Sequence, residues 1–317
     1  MNVTASPAVT TSLLDPTLWS GQLFGPRGWA EAPQQVDSIE PATGEVLGVA
    51  GTADAATVAA MGTAAAAAQV DWAALPFPKR AALELGGNNP LIVLDDADVD
   101  AAASAGAWGS FLHQGQICMA AGRHIVHESI VDDYLRALVE RAGRLPVGDP
   151  NRDQVALGPI INERQAESVQ RIVDSTRRAG ATTLIGGDRD GLFFPATVFA
   201  DVTPDMPAWR EEIFGPVAPV MSFRTDDEAV TLANDTELGL AAAVQSGSPE
   251  RAQALAGRLR AGMVHVNDQT VNDEPNSPFP GLGASGNGVS LGGPANAEAF
   301  TEWQWLTSRD RATQFPF

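Results

Sequence analysis

The chain has one cysteine, Cys118, in the stretch Phe111-Leu112-His113-Gln114-Gly115-Gln116-Ile117-Cys118-Met119-Ala120. A lone cysteine is ordinarily a small buried hydrophobe. Here a helical pattern ends near Leu112, polar residues and a glycine follow, and small residues come after the sulfur. Such a loop can present a thiol at the start of a helical turn, where N–H dipoles lower a thiol pKa to roughly 3.5–7.5. A thiolate there would be a nucleophile. Upstream, Glu84 precedes Gly86-Gly87 and Asn88-Asn89. Alone it reads as a solvated carboxylate at a strand end. The glycine pair argues for close backbone approach instead, and a carboxylate near a thiol can act as a general base.

Other candidates carry less. Gly281-Leu282-Gly283-Ala284-Ser285-Gly286 fits the dinucleotide fingerprint, which needs a strand before it and a helix after it. Pro275, Pro278 and Pro280 precede it and Gly292-Gly293-Pro294 follows, so it reads as a flexible loop. His124 and His127 lie on one expected strand and point to opposite faces, which argues against a metal site; no metal is expected. His113 reads as a surface or capping residue rather than half of a Cys–His pair. Lys79 is the only lysine, so any lysine-dependent chemistry would rest on it alone.

The elements that must position these groups alternate. Val36–Ile39 and Val46–Val49 flank the turn Pro41-Ala42-Thr43-Gly44 as a hairpin. Ala53–Val70 is an alanine-rich helix, and Trp72–Pro78 should break it. After Glu84 come a strand at Leu91–Leu94, a helix over Asp98–Leu112 and a strand at Arg123–His127. A helix then opens at Ser129 with Asp132 as capping partner. Asn162–Ala179 is helical, with Ala166, Val169, Val173 and Thr176 inward. Thr182–Ile185, Thr197–Val202, Pro216–Phe223, Leu240–Gln245 and Met263–Val266 are strands. Thr225 with Glu228, and Ser248-Pro249-Glu250, begin helices, and Gly262 should stop the last. Asn267–Pro294 reads as a long loop, and Trp303 with Trp305 as a strand-like tail. Strand–helix alternation implies an α/β fold with a mostly parallel sheet.

Composition sets outer bounds. At 317 residues and 44% hydrophobic content, the chain is globular with about two domains. A net charge of −19 repels phosphate backbones and anionic lipid, so nucleic acid and membranes are not expected partners. No apolar run approaches the ~20 residues of a membrane span. The N-terminus lacks a signal-peptide pattern, and one cysteine suits a reducing cytoplasm.

Together these stretches resemble the aldehyde dehydrogenase superfamily. Leu83-Glu84-Leu85-Gly86-Gly87-Asn88-Asn89-Pro90 is similar to its glutamate motif, Phe111 to Cys118 to its cysteine motif, and Glu211-Glu212-Ile213-Phe214-Gly215-Pro216-Val217 to its nicotinamide-ribose motif. Asn234-Asp235, Gly239-Leu240, Asn267 and Ser277-Pro278-Phe279 also match, although Pro280 stands where the family usually has glycine. Ile39-Glu40-Pro41-Ala42-Thr43-Gly44-Glu45-Val46 resembles the family's N-terminal hairpin, and Val266 to Glu274 resembles the benzaldehyde and vanillin dehydrogenase branch. The resemblance implies an NAD- or NADP-dependent oxidation of a small aromatic aldehyde. Cys118 would form a thiohemiacetal, hydride would pass to the nicotinamide, and Glu84 would activate the water that releases the acid. Glu212 would hold the nicotinamide ribose, with Phe214 beside it.

The resemblance also implies a gap. In the family, most of the dinucleotide-binding domain lies between the helix near Trp72 and the glutamate motif. Here the two join within Phe77 to Pro90. Relatives can carry a Lys/Arg-Ala-Ala run at both ends of that stretch, and the single Lys79-Arg80-Ala81-Ala82 is what an in-frame loss would leave. Residues 1–82 are then a remnant hairpin and helix, 83–267 the catalytic domain, and 268–317 a substrate loop and tail. The expected function is aldehyde dehydrogenase by descent, with turnover below the family's. The alternatives are a cofactor-independent cysteine esterase, or a non-catalytic fragment that joins a full-length relative in a homo- or hetero-oligomer.

Overall fold

The computed structural model describes residues 20–25, 28–73, 83–288, 290–300 and 305–311. The junction residues Phe77 to Ala82, and Trp303 of the tail, lie outside them.

A seven-stranded sheet organises the chain from Asn89 to Val266. Its strands are β5 (Asn89–Val93), β6 (Ala121–His127), β7 (Thr182–Ile185), β8 (Thr197–Ala200), β9 (Val217–Phe223), β11 (Ala241–Gln245) and β12 (Met263–Val266), in the order β12-β11-β5-β6-β9-β8-β7. All neighbours are parallel except β7, which runs against β8. Alternate residues of each strand enter one of two cores. Ile92, Ile125 and Met221 join α4 (Glu163–Arg178), α6 (Asp226–Asn234) and α7 (Pro249–Ala256). Leu91, Val93 and Val126 join α2 (Val99–Phe111) and α3 (Val131–Gly143). Helices on both faces explain why these strands read as continuous apolar runs.

Four helix starts follow the expected capping chemistry. Asp98, Asn162, Thr225 and Ser248 each accept a backbone N–H of the first turn with a side-chain oxygen. Two expectations are corrected. Ser129 does not cap α3, because its hydroxyl is engaged by the His127 ring at 2.8 Å and the helix begins after Ile130. Gly262 does not end α7, which stops at Ala256 with Gly257 as its cap.

Before the large sheet, β1 (Gln22–Gly25) pairs with β2 (Gly28–Glu31), and β3 (Gln34–Ile39) with β4 (Val46–Thr52), both antiparallel. The second pair is the expected hairpin. Helix α1 (Ala55–Ala73) runs past Trp72, which does not break it. Within the expected long loop, β13 (Leu282–Gly283) pairs with β10 (Leu238–Gly239). The remaining helices are the short α5 (Pro207–Arg210) and α8 (Ala295–Phe300). Residues 305–311 form no strand, and Trp305 is exposed. Among the described residues, no helix is long and apolar enough to cross a membrane.

Candidate active site

Cys118 sits half-buried in the connection between α2 and β6. That connection begins with a tight turn over Leu112–Gly115, where His113, Gln114 and Gly115 take φ of 49, 58 and 66°. Two of these are non-glycine residues in the left-handed region, each costing roughly 1–2 kcal/mol. The thiol therefore rests in a braced turn rather than at a helix N-terminus.

The strand entering β5 meets that turn. A Cβ on Gly87 would run into the backbone carbonyl of Cys118, so only glycine allows this approach, and one on Gly86 would displace the Glu212 carboxylate. Asn89 stitches the two segments. Its Nδ2 donates to the carbonyls of Cys118 and Ala120 at 2.9 and 2.7 Å, while its Oδ1 accepts the N–H of Ala241 at 2.8 Å. Sequence reading quoted Asn89 only as part of a motif. An asparagine opening an apolar strand was the available signal, since a buried amide there must find partners.

Glu84 faces the thiol. Burial, and then the Glu84 carboxylate, push Cys118 up to about 12, outweighing the N–H groups of Met119 and Cys118 itself. The expected depressed thiol pKa is thus corrected. Glu212 completes the cluster from the other side, accepting the Gly87 N–H at 2.9 Å. Burial raises its pKa, the Gly87 hydrogen bond opposes that, and the nearby Glu84 charge adds to the rise. Phe214 stands two residues on, at φ 52°. Its turn is fastened to α4, where Gln165 Nε2 donates to the carbonyls of Ile213 and Phe214 and Arg171 pairs with Glu211 at 2.8 Å. Of the four residues singled out from sequence, Cys118, Glu84 and Glu212 come together here, and Phe214 lies in the turn that follows Glu212. Cys118 packs against an apolar cluster of Met119, Leu240, Ala241 and Met263, on which Val271 and Phe279 also rest.

The segment from Gly281 to Gly286 opens no helix. It anchors Glu84 instead. Gly286 bridges Glu84, the Ser285 carbonyl accepts the Leu85 N–H at 2.9 Å, and Asn287 Oδ1 accepts the Leu83 N–H at 3.1 Å. His124 is buried, while His127 bonds Ser129 and the Arg224 carbonyl near the surface. Among the described residues, no three His, Cys, Asp or Glu side chains gather closely enough to hold a metal ion.

The aldehyde dehydrogenase family model matches residues 79–306. The chain belongs to the aldehyde dehydrogenase family. It is 52% identical over 239 residues to a benzaldehyde dehydrogenase [NAD(+)] of Pseudomonas putida, covering 75% of this chain and 49% of that protein. It is 50% identical over 257 residues to a vanillin dehydrogenase of Amycolatopsis, covering 81% and 53%. Among solved structures, an NAD-dependent aldehyde dehydrogenase from Sinorhizobium meliloti superposes with a TM-score of 0.71 at 39% identity, over 75% of this chain and 48% of that one. A salicylaldehyde dehydrogenase from Pseudomonas putida G7, complexed with salicylaldehyde, gives 0.71 at 38% identity, over 74% and 49%. This aldehyde dehydrogenase chain therefore spans about half the length of the relatives it matches.

The described residues fit one end of a nicotinamide dinucleotide. Glu212 lies near Glu84 with a half-buried carboxylate, a group that can accept the hydroxyls of a ribose. The pyrophosphate end finds no such fit. Among the described residues, the short turns from the large sheet into helices contain one glycine, in Ser246-Gly247-Ser248 between β11 and α7. Asp96 already fills that turn, accepting from Ser246 Oγ at 2.8 Å and from the Ser248 N–H at 3.1 Å. A carboxylate there takes the donor that a phosphate would need.

Proposed function

We propose that this chain is the catalytic half of an aldehyde dehydrogenase for aromatic aldehydes, with Cys118 as nucleophile and Glu84 as base. The observation that carries the reading is the half-buried thiol facing the Glu84 carboxylate. Burial and the Glu84 charge keep the proton on the sulfur at rest. Passing the proton from sulfur to carboxylate moves that charge to sulfur and frees the thiolate to attack an aldehyde carbon. The carboxyl gives that proton to solvent, and the carboxylate so restored takes a proton from the water that releases the acid from sulfur. Glu212 and Phe214 hold the nicotinamide ribose, and a bound nicotinamide supplies the hydride acceptor. The apolar groups around Cys118 suit an aromatic ring, as do the names of the relatives.

In this reading residues 83–267 form the catalytic domain, 268–317 the substrate loop and tail, and 1–82 a remnant of the cofactor domain. The free thiol suits a cytoplasmic location, and the aldehyde is joined as partner by further copies or a full-length relative. A dinucleotide held by its ribose alone loses positioning on the order of 7–11 kcal/mol. The chain by itself should therefore form NADH from benzaldehyde far below a rate typical of its family. Steady NADH production, abolished in Cys118→Ala, would overturn that expectation. A second reading, hydrolysis of activated esters, needs only the thiol and carboxylate that already face each other. Turnover of p-nitrophenyl acetate, lost in Cys118→Ala and Glu84→Gln, supports it. Failure of both reactions would leave a non-catalytic partner chain.

A further inference from the structure

A relay of hydrogen bonds crosses the apolar layer behind the Cys118 turn. Ser110, next to last in α2, donates its hydroxyl to the carbonyl of Ala121, the first residue of β6, at 2.7 Å. The same oxygen lies 2.7 Å from His124 Nε2, and His124 Nδ1 lies 2.7 Å from the Tyr134 hydroxyl on α3. The proton positions follow from counting. Ser110 has one hydroxyl proton, and a carbonyl can only accept, so that proton goes to Ala121. Nε2 must then be the donor to Ser110, and the bare Nδ1 accepts from Tyr134. All three side chains are essentially inaccessible to solvent, yet each is satisfied. Burial holds His124 neutral, with its pKa lowered to about 4. Gly106 of α2 makes the room, because a Cβ there would run into the Tyr134 hydroxyl.

Leu, Phe or Val could fill this layer at less desolvation cost. What apolar side chains could not do is tie one backbone end to another. Ser110 and Ala121 flank the turn that carries Cys118. Within that turn His113 and Gln114 are in the left-handed region, so it would relax outward if its ends were free. Asn89 fastens the turn at Cys118 and Ala120, and the Ser110–Ala121 bond closes its base.

We propose that Ser110, oriented by His124 and Tyr134, latches the base of the Cys118 turn and so keeps the thiol half-buried beside Glu84. These are positioning residues, acting through the backbone of the turn. The inference rests on Cys118 being the reactive thiol of the proposed function. Its test needs no aldehyde turnover, so the two can fail separately.

The test is alkylation of the native 317-residue chain by iodoacetamide, followed from about pH 7 to pH 10, where His124 stays neutral. Cys118 is the only cysteine, so the label has one destination. The titratable group facing it, Glu84, is untouched in every variant. Ser110→Ala should raise the rate near pH 8.5 by roughly tenfold or more and move the apparent thiol pKa down toward the ordinary ~8.5. Tyr134→Phe removes only the outer link and should raise the rate by about two- to threefold. Ser110→Thr keeps the hydroxyl and should label like the parent chain. Wild-type rate and apparent pKa in Ser110→Ala would overturn the proposal. So would a faster rate that merely tracks a fall in urea stability and is not restored in Ser110→Thr. Should Ser110→Ala not fold, Tyr134→Phe decides alone, and unchanged labelling there overturns it.

Discussion

Strand β5 and the β3–β4 hairpin were equally readable as strands, yet they live in different surroundings. All five residues of β5 are buried, whereas all six of β3 are exposed. Val36, Ile39, Val46 and Leu47 of the hairpin stand between 51% and 67% exposed. The helices repeat the contrast. Helix α4 buries Ala166, Val169, Ile172, Val173 and Thr176 along one stripe, while α1 is an alanine run without a distinct apolar face. Local pattern fixes the type of an element, but burial depends on a facing layer. The sheet from Asn89 to Val266 carries both of its layers. The hairpin has β1 against β4, and Val36, Ile39, Val46 and Leu47 stay exposed.

The largest effect that would sharpen this contrast is Ile92→Ala in β5. Ile92 is fully buried between strands and helices, and its truncation should cost about 4 kcal/mol in urea unfolding. A loss below about 1 kcal/mol would mean that the sheet is far looser than its packing. Asn89→Ala should follow at about 3 kcal/mol, since one buried and two partly buried backbone groups lose their partner at once.

Acid should weaken the sheet region through His124. Its pKa is lowered in the folded chain, so its contribution is complete above the unfolded value of about 6.5 and is lost as pH falls toward 4. The fall should amount to about 3 kcal/mol over that window. The same urea series on His124→Gln should show a shallower decline, and an identical slope would exclude His124 as the cause. Glu84→Gln tests the site itself. Removing the negative charge should lower the thiol pKa and speed iodoacetamide labelling near pH 8.5, although burial still holds it above an ordinary thiol. Slower labelling would contradict the pairing. Smallest of all, Leu47→Ala in the hairpin should change stability by less than about 0.5 kcal/mol. A loss of several kcal/mol would reveal a covering layer over the hairpin.

Much of the parallel sheet was legible because its strands are short apolar runs and its helices announce their starts. Asp98, Asn162, Thr225 and Ser248 all cap as their types suggest. Ser129 misled because a neighbouring imidazole, invisible to a capping pattern, took its hydroxyl. In the site, Cys118, Glu84, Glu212 and Phe214 were singled out through motifs. The direction of the thiol's titration was not, because it is set by burial and by a charge brought in from another strand. Asn89 left only the trace of an amide opening an apolar strand, and the Ser110–His124–Tyr134 relay left none. Each works by joining backbone segments whose proximity exists only after folding. The Gly281 to Gly286 stretch shows the same limit: its flanks rightly read as a loop rather than a ligand turn, but nothing local showed that the loop holds another strand.

That last attachment bears on when the site comes into being. Glu84 is pinned by residues about two hundred positions further along, the Leu83–Asn287 hydrogen bond spanning 204. The entropic cost of so long a closure grows only slowly with length, but contacts this distant form late. On the ribosome, the thiol turn and the sheet around it emerge well before Ser285 and Gly286. A nascent chain would thus carry a cysteine without its placed base until synthesis has passed that point, and arrest before it would leave a folded sheet with an unassembled active site.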